Sequence, residues 1–103
     1  MKESAPGTVN GDLIVEDAFT LYGMVTGDVR VQSGGRLELH GMCVGDMTIE
    51  RGGYADIAGT VCGNVVNYGK IEVAGTVHGN LLTTSDGYSR KNGAVIKGAV
   101  TVM

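Results

Sequence analysis

Cys62 and His78 occupy the same slot of a repeated phrase, one repeat apart, and a thiol beside an imidazole is the smallest unit of nucleophilic catalysis. A second constellation is the row Glu38, Asp56 and Glu72, three carboxylates at one recurring position, the kind of oxygen set a divalent cation takes. Neither set is complete. The Cys and His lack an orienting partner and an oxyanion-binding turn, and the carboxylates come without His or Cys at metal-ligand spacing. The expectation is no enzyme, with no catalytic residue, no metal and no cofactor. The acidic row reads as a solvated face, with Arg36 and Lys70, two residues before Glu38 and Glu72, placed to relieve its repulsion.

What must position these groups is a repeat. A glycine opens a phrase of near-constant grammar at Gly7, Gly23, Gly41, Gly59, Gly75 and Gly98, giving GTVNGDLIV, GMVTGDVRV, GMCVGDMTI, GTVCGNVVN, GTVHGNLLT and a truncated GAVTVM. The steps are 16, 18, 18, 16 and 23 residues. Such a period is too short for a helical hairpin and suits one coil of a β-solenoid.

Three alternating segments fill each coil, the pattern of strands with one buried face. Counting the glycine as position one, position three holds Val9, Val25, Cys43, Val61, Val77 and Val100. Position seven holds Leu13, Val29, Met47, Val65 and Leu81. Position nine holds Val15, Val31 and Ile49 before turning polar at Asn67 and Thr83. Two residues before each following glycine come Leu21, Leu39, Ile57, Val73 and Ile96; four before come Phe19, Leu37, Ala55, Ile71 and Ala94. Positions five and six, Gly11-Asp12, Gly27-Asp28, Gly45-Asp46, Gly63-Asn64 and Gly79-Asn80, read as a corner of positive-φ glycines and self-bonding Asx residues that stack into a ladder. A second corner varies in length, from Gln32–Arg36 and Glu50–Tyr54 to the shorter Tyr68-Gly69-Lys70.

The predicted fold is all-β, a single-stranded right-handed parallel β-helix of about five to six triangular coils spaced about 4.8 Å apart. Residues 1–6 read as a short tail and 7–103 as the solenoid, with an inserted loop at 85–92. A two-layer antiparallel sandwich is the competing fold, and it gives no reason for one residue class to return to one slot five times. The composition agrees: 103 residues with 18 glycines, no Trp and one Phe can fill only a narrow interior. A net charge of −3 leaves no basic stripe for nucleic acid or an anionic membrane. No segment has the apolar length of a secretory signal or a membrane span, so a cytoplasmic location is expected. Cys43 falls on the inward side of the wall and Cys62 on the outward side, which predicts two free thiols.

The phrase G-x-V-x-G-[DN]-[VML], followed by an aliphatic, a G-G or G-K corner and two alternating aliphatics, resembles the bactofilins from Gly7 to Met103. The resemblance implies a right-handed triangular β-helix and a small cytosolic scaffold that polymerises end to end without nucleotide, serving cell shape or partner localisation in bacteria. It supplies no catalytic residues. Aliphatics recurring every six residues, as at Val25, Val31 and Leu37, also invite comparison with the left-handed solenoids of hexapeptide acyltransferases, in which case His40 or His78 would be the base to test.

Interaction surfaces follow from the phase of the repeat. Met24, Met42, Val44 and Cys62 point outward together on one face, and Ile14, Val66 and Leu82 on the next. Val100, Val102 and Met103 offer an apolar end edge to another copy. Tyr88, Arg90 and Lys91 populate the inserted loop as a binding loop. The partners expected are the chain itself, as homo-oligomer or filament, and another protein. The alternative reading is a monomeric or dimeric binding module, such as an immunity or inhibitor protein that neutralises a toxin or enzyme.

Overall fold

The computed structural model describes residues 3–5, 8–84, 87–90 and 93–102, and leaves aside the side chains of 3–5 and 88–90. In chain order the strands are β1 (Glu3–Ala5), β2 (Thr8–Val9), β3 (Leu13–Val15), β4 (Ala18–Leu21), β5 (Met24–Val25) and β6 (Val29–Val31). Then come β7 (Arg36–Leu39), β8 (Met42–Cys43), β9 (Met47–Ile49), β10 (Tyr54–Ile57), β11 (Thr60–Val61) and β12 (Val65–Asn67). The last are β13 (Lys70–Val73), β14 (Thr76–Val77), β15 (Leu81–Thr83), β16 (Tyr88–Arg90), β17 (Val95–Ile96) and β18 (Val100–Val102). Every third strand pairs in parallel, giving three six-stranded sheets: β1-β4-β7-β10-β13-β16, β2-β5-β8-β11-β14-β17 and β3-β6-β9-β12-β15-β18. This is a β-solenoid of about five turns with three faces, and the sandwich is excluded.

Register turns the repeat into columns. Val9, Val25, Cys43, Val61 and Val77 lie one above another in the second sheet, as do Leu13, Val29, Met47, Val65 and Leu81 in the third. Leu37, Ala55 and Ile71, with Leu39, Ile57 and Val73, do so in the first. From Val25 to Leu81 these inward residues are at most 1% exposed, so the core is a set of aliphatic stacks. The position-nine column ends in polar atoms that are satisfied. The Asn67 amide Nδ2 donates to Thr83 Oγ1 and to the Gly87 carbonyl, both at 3.0 Å, and Asn67 Oδ1 accepts from Gly69 N–H at 3.1 Å.

Gly–Asx grammar has a different cause from the one expected. Positive φ occurs at Gly11, Gly34, Gly52 and Gly93, and so at only one of the position-five glycines named above. Each Asx carboxyl or amide oxygen instead reaches the next coil: Asp28 N–H donates to Asp12 Oδ1, Asp46 to Asp28, Asn64 to Asp46 and Asn80 to Asn64, all at 2.8 Å. Ala99 N–H closes the series on Asn80 Oδ1 at 2.9 Å. A β-carbon at Gly45 would collide with Asp28 Oδ1 and the Gly27 carbonyl, so glycine is required by close approach.

Three boundaries move. Glu3–Ala5, expected to be tail, is the first strand and pairs with Phe19, Thr20 and Leu21. Within the expected loop 85–92, Tyr88–Arg90 is a strand, with Tyr88 beside Ile71 and Arg90 beside Val73. The last phrase is also out of phase. Val95 pairs with Thr76, Ile96 with Val77 and Val100 with Leu81, so AVIKGAVTV is a sixth complete phrase opened by Ala94, and its step is 19 residues. Val100 therefore belongs to the position-seven column and Ile96 to position three. Gly98 is a position-five glycine whose N–H donates to the Gly79 carbonyl at 3.1 Å. Alanine in place of the opening glycine hid the true start, and Gly98-Ala-Val imitated one.

Candidate functional site

On the second face the repeat brings Met24 beside Met42, with Val44 and Cys62 consecutive in the neighbouring outward column. Met42, Val44 and Cys62 are exposed and Met24 is half-buried. The third face carries Ile14, Val66 and Leu82 in one outward column. Ile14, 56% exposed, is followed in its column by Arg30 and Thr48 before Val66 and Leu82, which separates it from that pair.

Cys62 and His78 are exposed neighbours one coil apart, each directly after its strand, β11 and β14. Cys43 lies inside, and its thiol is pushed up from 9.0 to about 11, first by burial and then by the Asp28 charge. Its Sγ–H is aimed at the Gly45 carbonyl at 3.5 Å. Both cysteines are free.

Glu38, Asp56 and Glu72 do stack in register on the first face. Neighbouring side chains meet their repulsion. Thr20 Oγ1 donates to Glu38 Oε2 at 3.3 Å, and His40 Nε2 stands 4.0 Å from the same oxygen. The Tyr54 hydroxyl donates to Glu72; burial, that hydrogen bond and the carboxylate charges raise it from 10.0 to about 12. Arg36 lies over the Tyr54 ring, 5.1 Å from its centroid. Among the described residues no group of three His, Cys, Asp or Glu is arranged to hold a metal ion.

At the C-terminal edge Val100 and Val102 are 42% and 58% exposed, although Leu81 and Thr83 beneath them are fully buried. Met103 and Lys91 lie outside the described residues, and for Tyr88 and Arg90 only the backbone strand is described. No described helix is long and apolar enough to cross a membrane.

Sequence reasoning missed the aromatic contacts. Tyr22 and His40 stack with centroids 5.2 Å apart, and Arg36 covers Tyr54. Both pairs were available as residues in one slot of consecutive coils, since each member of the first pair precedes an opening glycine. Compared with known proteins, the chain matches no family model, no curated protein and no solved structure.

Proposed function

We propose that this chain is a structural scaffold that adds copies end to end, each copy continuing the three sheets of the last, and that it recruits partner proteins on its faces. This is the role implied by the bactofilin resemblance. The observation that carries it is the exposure of Val100 and Val102 at positions that are buried in the coil below. Apolar column ends and an open row of strand donors and acceptors are the surface on which a further rung forms.

The two ends also match. β1, β2 and β3 have three, two and three residues, and β16, β17 and β18 repeat that set in the same sheet order. A second copy therefore meets a rung of its own dimensions. The two free thiols support the cytosolic setting that forms part of the same proposal.

Negative-stain microscopy tests the reading. Wild-type protein is expected to form rods of constant width, and a Val100→Lys, Val102→Lys double variant only short particles. Wild-type particles that never elongate would overturn it. The Met24, Met42, Val44 and Cys62 patch favours a second reading, a monomeric module that clamps one protein on that face; compact particles, together with loss of partner binding in Met42→Lys, would select it.

A further inference from the structure

The corner between the third and first faces changes length along the solenoid. Residues 50–53 link Ile49 to Tyr54, whereas only Tyr68 and Gly69 link Asn67 to Lys70 in the next turn. The two long corners stack, with Gly34 N–H donating to the Gly52 carbonyl at 3.1 Å. Gly52 stands at the equivalent place of the next corner with nearly the same φ as Gly34, 86° against 84°. The residues that would offer its N–H a carbonyl are the two missing from the short corner. Among the described residues this N–H has no acceptor.

Where those residues are missing there is a recess of about 540 Å³, with Arg51, Lys70, Tyr54 and Tyr68 around it and the backbone of Gly52 and Gly69 exposed within it. A β-carbon at Gly69 would strike the carbonyls of Glu50 and Gly53, so the floor stays bare, and the Asn67 hydrogen bond to Gly69 N–H holds it in place. Among the described residues Arg51 and Lys70 make no ion pair, whereas Arg30 is paired with Glu50 at 3.3 Å. Among the described residues, two cations without an ion pair and a backbone donor without an acceptor thus line one hollow, which Thr84 and Gly87 also border.

We propose that this recess binds a sugar carrying a phosphate or carboxylate group. The anion sits on Gly52 N–H between Arg51 and Lys70, where charge-assisted hydrogen bonds are strongest. The sugar ring lies on Tyr68, whose side is open to solvent at 50% exposure. A planar base would need rings on both sides, and Tyr54 already carries the Arg36 guanidinium. A sugar needs only one apolar face. This site is separate from the solenoid ends and does not depend on assembly.

The test is an amide-resolved NMR titration of the full chain with glucose 6-phosphate, glucuronate, glucose and inorganic phosphate. One or both anionic sugars are expected to shift the amides of Gly52, Gly53 and Gly69, and the one that does so distinguishes phosphate from carboxylate. Arg51→Gln with Lys70→Gln is expected to weaken that binding about tenfold or more, with the remaining spectrum unchanged to show an intact fold, while Lys97→Gln leaves it as it was. The proposal is overturned by an absence of shifts, by glucose or inorganic phosphate acting as strongly as the anionic sugars, or by undiminished binding in the double variant.

Discussion

Close backbone approach decides the identity of individual residues in this solenoid. At Gly59 a β-carbon would overlap the Gly41 carbonyl, while at Gly11 the space is open and only the φ of 93° disfavours a side chain. Gly59→Ala is therefore expected to cost more than about 4 kcal/mol in urea unfolding, and Gly11→Ala about 1–2 kcal/mol. Asn67 is the polar counterpart, since its amide satisfies the Gly87 carbonyl, Thr83 Oγ1 and Gly69 N–H. Asn67→Val strands those buried groups and is expected to cost about 1–3 kcal/mol despite its better hydrophobicity. The two thiols differ as sharply. At pH 8 alkylation is expected at Cys62 alone, with Cys43 reacting only on unfolding. Because the folded Cys43 pKa is raised, its contribution to stability is complete below pH about 9 and is lost as pH climbs toward about 11, which a pH series of unfolding midpoints would register.

Between coils, the Asx ladder does the work that a loop would do elsewhere. Asp46 Oδ1 serves Asn64 N–H, and Asn64 and Asn80 perform the same task without charge. Asp46→Asn is thus expected to leave thermal stability nearly unchanged, whereas Asp46→Ala loses about 1–3 kcal/mol. This element was half legible. Gly-Asp and Gly-Asn recurring at fixed spacing pointed to a stacked corner, but sequence spacing does not say whether an Asx oxygen turns to its own backbone or to the next coil. The inward columns were legible throughout from Val9 to Leu81 because like aliphatics return to like slots. Phase failed where its marker was replaced: Ala94 stands where a glycine opens the other coils, so four residues of slippage carried Val100 into the wrong column and left Tyr88–Arg90 as a loop. The recess at Gly52 was invisible for another reason. The short Tyr68-Gly69 corner could be seen, but the donor it leaves unpaired appears only when the corners are stacked.

At the level of the whole molecule, the described strands of the three parallel sheets end in edges of equal strand length, and Val100 and Val102 are exposed in slots that the interior rungs bury. The ladder stops at Ala99, which has no side-chain oxygen to offer a following copy. Ala99→Asn is therefore expected to strengthen end-to-end association, read as a lower concentration for half-assembly. Sedimentation of the wild-type chain across a concentration series tests the scaffold most directly. The expected result is a mass that starts from the 10.6 kDa monomer and rises with concentration, with the rise abolished in Val100→Lys, Val102→Lys. A wild-type mass fixed at 10.6 kDa across the series would contradict it.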